Sequence, residues 1–252
     1  HEMGFLRCFC VEKTVIRRVN AHFSLPKMAE IRGMEDQLTT FFIIIYLISI
    51  FISFLFLLTI SRKKDIPTNL RFLYLYPLGA IIVFGFYVLG RVEVIKFTTY
   101  QLINSVSLVY HLGFLGFFIL YEISNKKLKR ISKYLLGFFF MALGVGIIYR
   151  TDFWRLDAIA ASMGLFFLAT LYFIDVFINV PSTKLSNIPS FWVIIGIFLH
   201  MVINIPPLTL APYIKTYFPE SFPIVAIISL SASIIMFLSF IKGVVCLKSH
   251  LK

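Results

Sequence analysis

Two histidines and two asparagines stand inside long apolar runs, and their types and spacing allow binding chemistry. Asn104 and His111 are seven residues apart, and His200 and Asn204 are four apart. On a helix either interval returns to the same face. Imidazole and amide groups accept and donate hydrogen bonds, and imidazole also ligates metals. Polar groups at such depth in a bilayer are costly and mark sites worth testing first. Pro206 and Pro207 follow Asn204 after Ile205 and withhold the N–H groups that would satisfy the carbonyls of Val202 and Ile203. An interrupted helix beside polar side chains is one way to build a midplane site. The expectation is a site between two helices formed by Asn104, His111, His200 and Asn204. Three uses stay open: an interhelical hydrogen-bonded tie, a pocket for a small ligand, or a haem held by two imidazoles.

The elements that carry these residues follow from composition. Of 252 residues 59% are hydrophobic and only 14% are charged, against about 25% charged in a soluble domain. One aqueous core cannot hide so much apolar surface, whereas a bilayer takes it as solvent. The apolar runs fall at 40–60, 70–90, 100–121, 131–149, 158–180, 191–210 and 222–245. Each is about the 20 residues a helix needs to cross the hydrocarbon core. They are apolar all round rather than alternating, which excludes a barrel. The expected fold class is therefore all-α: a polytopic integral membrane protein, a seven-transmembrane-helix bundle. Gly137, Gly144 and Gly146 place the fourth span centrally, and Pro77 and Pro206-Pro207 kink the second and sixth.

Charge sets the orientation. The net charge is +12, but the basic residues cluster in short segments between spans, which leaves no soluble basic domain for nucleic acid. With the N-terminus outside, the inner segments hold Arg62, Lys63, Lys64 and Arg71, then Lys126, Lys127, Lys129, Arg130 and Lys133, then Lys184, Lys242, Lys248 and Lys252. The outer segments after Met34 hold only Arg91, Lys96, Arg150, Arg155 and Lys215. The positive-inside rule then puts the C-terminus in the cytoplasm. Trp154, Trp192, Tyr100, Tyr121, Tyr134 and Tyr149 sit at span ends as an aromatic belt. The cluster from Lys126 to Lys133 reads as an inner loop that docks a partner or contacts lipid headgroups. Asp175 and Glu122 are expected at the same face, turned toward Lys126 and Lys127.

Residues 1–33 differ in character: basic and acidic residues are mixed, with no long apolar run, and Met34 opens an acidic start before the first span. Met34 is expected to be the initiator, with 1–33 a non-native or disordered extension and 34–252 the membrane domain. Cys8, Cys10 and Cys246 show no metal spacing, and Cys246 is expected to be a buried thiol. HExxH, GxSxG, P-loop and EF-hand patterns do not occur. The expectation is no enzyme and no cofactor, with haem the alternative.

At the sixth span the chain reads Asn187-Ile188-Pro189-Ser190-Phe191-Trp192, then Gly196 and His200. This resembles small seven-helix membrane proteins of bacteria, similar to the membrane input modules of seven-helix sensor kinases. Ile188 separates the Asn from the Pro, and such proteins often carry Tyr where His200 stands. The resemblance implies a bacterial inner-membrane sensory or accessory module that binds a small or lipid-like ligand or a partner helix. Its partners would be membrane lipids and a separate signalling protein. A small transporter or redox membrane protein, and a structural subunit of a membrane complex, are the alternatives.

Overall fold

A computed structural model describes residues 25–62, 66, 68–91, 97–149, 156–179, 185–218 and 221–250. Every element among them is helical: α1 Leu25–Ser61, α2 Thr68–Phe72, α3 Leu75–Arg91, α4 Phe97–Glu122, α5 Lys126–Ile148, α6 Leu156–Asn179, a 3-10 turn Leu185–Asn187, α7 Pro189–Tyr217 and α8 Phe222–His250. The chain divides into two compact units, His1–Phe41 and Phe42–Lys252. The bundle described below is the second. Residues 1–24, with Cys8 and Cys10, lie outside the described residues; α1 runs unbroken through Met34.

Among the described residues six helices are long and apolar enough to cross a membrane, in α1, α4, α5, α6, α7 and α8. The outward faces are apolar, with Phe117 60%, Met141 67% and Phe177 72% exposed. Water would not tolerate a surface of this kind over a whole bundle, but hydrocarbon does. The core lies where α6 meets its neighbours, around Leu115 and Ile119 of α4, Leu143 of α5, Leu165 and Leu168 of α6, and Ile197 of α7. α7 and α8 pack most extensively, followed by α5 with α6 and α6 with α7. α1 is tied to α8 by the Ser53 hydroxyl, which donates to the Phe237 carbonyl at 3.1 Å.

Several expectations change at this level. The second apolar run is not one helix. The chain turns at Leu73 and Tyr74 between α2 and α3, and Pro77 falls in the first turn of α3. A missing N–H costs nothing there, so the proline starts a helix instead of kinking one. The remaining apolar stretch, Leu70–Phe86, is shorter than the six long spans. α7 keeps its helical course through Pro206, Pro207 and Pro212 to Tyr217, beyond the expected end at 210. The hydroxyls of Thr209 and Thr216 donate to the carbonyls of Ile205, Pro206 and Pro212. Such side-chain donors make proline tolerable in a membrane helix.

The fourth span is not central. A side-chain carbon at Gly137 or Gly144 would meet nothing within 4 Å, and only Gly146 lies against a neighbour, the backbone of Asp157. The central helix is α6, half of whose crossing window is buried, against 28% for α5.

The basic cluster is not a loop either. α5 begins at Lys126, so Lys126, Lys127, Lys129, Arg130 and Lys133 occupy its first turns. Asn125 caps it, its Oδ1 accepting from the N–H of Lys127 at 2.9 Å and of Leu128 at 3.3 Å. Positive charge at a helix N-terminus opposes the macrodipole, and the carboxylate of Asp175 lies behind it. Asp175 is buried and does not turn to Lys126 or Lys127. It accepts from Ser124 N and Oγ at 2.7 and 2.9 Å, Asn125 N at 3.0 Å and Asn179 Nδ2 at 2.5 Å. Backbone donors held in a fixed turn satisfy a buried carboxylate without ordering a flexible lysine. Glu122 closes α4 beside Ser190 and Lys129. The Nζ of Lys129 donates to the Tyr121 carbonyl at 3.4 Å and lies 5.6 Å from the centre of that ring.

Of the aromatic belt, Tyr121, Tyr134 and Tyr149 are exposed, and Trp192 packs under Lys242, whose Nζ is 5.5 Å from the centre of the Trp192 ring. Trp154 and the Tyr100 side chain lie outside the described residues. Cys246 is buried.

Candidate functional site

His111 is near the middle of α4 and His200 near the middle of α7. Their ring centres are 6.0 Å apart at an angle of 65°. Asn204, one turn beyond His200, donates through Nδ2 to the His200 carbonyl at 2.9 Å and approaches its Nδ1 at 3.0 Å. The backbone carbonyl can only accept, so the amide must present its NH2 group there. His200 Nδ1 is then an acceptor and Nε2 carries the proton. His200 also lies within hydrogen-bonding reach of the Ala232 backbone on α8. His200 is thereby locked between its own helix and α8.

His111 is held from the other side. The Tyr76 hydroxyl lies 2.5 Å from its Nδ1. Tyr76 is buried among Tyr110, Phe114, Phe237 and Phe240, and we assign its hydroxyl hydrogen to Nδ1, the acceptor that the described residues offer it. That leaves the His111 proton on Nε2, which has no hydrogen-bond partner among the described residues.

These groups line a cavity of about 230 Å³ between α1, α3, α4, α7 and α8. His111, His200, Tyr46, Tyr76, Tyr110 and Ser107 supply most of its polar atoms. The Tyr46 hydroxyl likewise has no hydrogen-bond partner among the described residues. Tyr110 is fixed, donating to the Leu75 carbonyl at 2.7 Å. No described residue lining the cavity is charged.

The structure brings together three of the four residues singled out by spacing. His111 and His200 line the cavity, and Asn204 orients His200 from behind. Asn104 does not line it: two turns along α4 displace it by about 10 Å. Ser107, between Asn104 and His111 on the same helical face, takes the place beside His111. The interval of three and then four was visible in the sequence, and a hydroxyl at that position was the available signal. Tyr46 and Tyr76 had none, because tyrosines at mid-span look like any other aromatic in a chain with 12 Tyr and 29 Phe.

Haem does not fit. Pockets for drug-sized ligands run from about 300 to 1,000 Å³, and this cavity is smaller than that range. Among the described residues no group of three or more His, Cys, Asp or Glu side chains is placed to hold a metal ion.

Comparison with protein-family models, with curated proteins and with solved structures finds no match.

Proposed function

We propose that this chain is a sensory or accessory module of a bacterial cytoplasmic membrane, which binds a small uncharged ligand in the cavity between α4, α7 and α8. The observation that carries the reading is the pair of unpartnered donors, His111 Nε2 and the Tyr46 hydroxyl, facing one uncharged cavity at mid-bundle. A ligand with an acceptor oxygen would satisfy both groups, and a hydrogen bond formed there contributes about 0.5–1.5 kcal/mol net. The locked rings of His200 and Tyr76 prepare the site in advance, which reduces the ordering needed on binding. The resemblance from Asn187 to Trp192 is to small seven-helix membrane proteins, similar to sensor input modules, and accords with this role. Ligand occupancy would be passed to a separate protein at the inner face, where Lys126, Lys127, Arg130 and Lys133 are exposed.

In this reading α3 is the seventh span, the N-terminus is outside and the C-terminus cytoplasmic. At 17 residues α3 is about 26 Å long, at the short end of what crosses a bilayer. Reporters fused after Lys252 should be active in the cytoplasm and silent outside it; the reverse result would overturn the topology.

Binding is tested with two variants. Tyr46→Phe removes a hydroxyl that the protein itself does not use, so stability should stay within about 0.5 kcal/mol. Retention of any co-purifying neutral small molecule, read by mass spectrometry of the purified full chain, should fall about tenfold, the equivalent of one hydrogen bond of about 1.4 kcal/mol. His111→Gln should lower it at least as far. Unchanged retention in both variants would remove the site. Substrate flux in proteoliposomes that His111→Gln blocks would make the protein a transporter instead.

A further inference from the structure

The cavity has an apolar neighbour. A groove of about 510 Å³ runs along the seam of α3 and α4, lined by Leu78, Ile82 and Phe86 on one side and Ile103 and Val106 on the other. It shares Gly79, Val83, Ser107 and Tyr110 with the polar cavity. The two spaces therefore meet along one wall. At Gly79 the Tyr110 ring packs directly against α3: a side-chain carbon there would lie 2.5 Å from it. With only hydrogen at Gly79, the Tyr110 ring lies across α3, pinned by its bond to the Leu75 carbonyl.

We propose that the ligand is a neutral single-chain acyl ester, of the monoacylglycerol type, with its head in the polar cavity and its chain in the α3–α4 groove. This rests on the reading of the cavity as a binding site. Three observations select the class. None of the described residues lining either space is charged, so a phosphate, carboxylate or ammonium head would be buried there without a counter-charge from them, at high cost. The two unpartnered groups are donors, which an ester carbonyl and hydroxyl oxygens accept. The cavity holds the volume of roughly eight water molecules at about 30 Å³ each, enough for a glyceryl ester and too little for a fused-ring head. The groove follows α3 from Leu75 to Phe86, about 16 Å at 1.5 Å per residue, which matches one leaflet of a hydrocarbon core about 30 Å thick. It opens outward, since Ile82 is 52% and Val106 59% exposed. A chain lying there stays in contact with the bilayer from which the molecule enters.

The test uses the full chain in phosphatidylcholine nanodiscs and a monoacylglycerol carrying a photoreactive diazirine in its acyl chain. Labelling should concentrate on Ile82, Phe86 and Val106. Unlabelled monoacylglycerol should reduce it at least tenfold, and equal free fatty acid or lysophosphatidylcholine should not. Val106→Trp, which fills the groove from an exposed position, should lose that competed labelling while the protein still elutes as a folded species. Labelling spread evenly over lipid-facing residues such as Phe117 and Phe177, uncompeted, would overturn the proposal. So would equal competition by the charged lipids.

A second measurement separates this proposal from the reading beneath it. Glyceryl monobutyrate, which has the head and almost no chain, should protect His111 from diethyl pyrocarbonate. Protection without groove labelling overturns the chain site and leaves the cavity as a small-ligand site. Neither protection nor labelling overturns both.

Discussion

Asp175→Ala is expected to destabilise the bundle by about 2–5 kcal/mol, the largest single effect of any polar substitution considered. The carboxylate is only 2% exposed and accepts from two backbone N–H groups, one hydroxyl and one amide. Alanine leaves the N–H groups of Ser124 and Asn125 without their acceptor, at about 1–3 kcal/mol each. The loss also loosens Asn125, which caps α5, so the basic first turns of that helix should fray. In a thermal scan of the detergent-purified protein the midpoint should fall on the order of 10 °C. Asp175→Asn keeps one acceptor oxygen but no charge and should fall by less than half as much. A midpoint within 2 °C of the parent for Asp175→Ala would show, on the same scale, that the turn is held by something else. Ligand retention should be unchanged in either variant that still folds, because the carboxylate is far along α6 from the cavity.

Gly196→Leu is expected to cost about 3 kcal/mol or more and to separate α7 from α8. A side-chain carbon at Gly196 would lie 2.6 Å from Cβ of Ser239 and 3.1 Å from the Met236 carbonyl. The same seam is closed from the other helix by Gly243, where a side-chain carbon would lie 2.8 Å from the Pro189 carbonyl. Backbone atoms cannot move aside as a flexible side chain can, so the helices must part, and overpacking of that kind typically costs 1–3 kcal/mol and occasionally more. In a membrane the close approach is itself the source of stability, since lipid offers no hydrophobic drive to hold helices together. Because His200 lies within hydrogen-bonding reach of the Ala232 backbone of α8, parting the pair should also weaken ligand retention. Gly137→Leu and Gly144→Leu are the controls. Both positions face open space and should change stability by no more than about 0.5 kcal/mol. Equal losses at Gly196 and Gly137 would overturn the packing reading of the α7–α8 seam, since leucine has the higher helix propensity and cannot destabilise through propensity.

How much of this was legible beforehand differs by level. The long apolar runs placed the main helices, because a span is a local property of about 20 consecutive side chains. Their ends were less legible. The start of α5 at Lys126 depends on Asn125 and on a carboxylate 50 residues away, and the course of α7 past Pro207 depends on hydroxyls that reach back to its carbonyls. The glycines illustrate the same limit: Gly137, Gly144 and Gly196 are alike in sequence, and only the neighbour across the seam tells a packing glycine from one facing lipid.

The candidate site divides in the same way. Spacing alone put His200 and Asn204 on one face and His111 near mid-span, because helical periodicity needs no knowledge of partners. Which side chains complete the site is a matter of which helices touch. Tyr46, Tyr76 and Tyr110 come from α1, α3 and α4, and nothing in their local sequence distinguishes them from the many aromatics that face lipid. Asn104 shares the face of His111 but sits two turns along α4, beyond the cavity wall. The sequence by itself determined an all-helical chain rich in membrane-length apolar segments, since hydropathy and period are written residue by residue. The tertiary structure alone decided that two mid-span imidazoles meet, that one nitrogen of that pair has no partner among the described residues, and that an apolar groove opens beside it. Those are properties of distances between helices, set by where glycine lets backbones approach and where tyrosine bridges them.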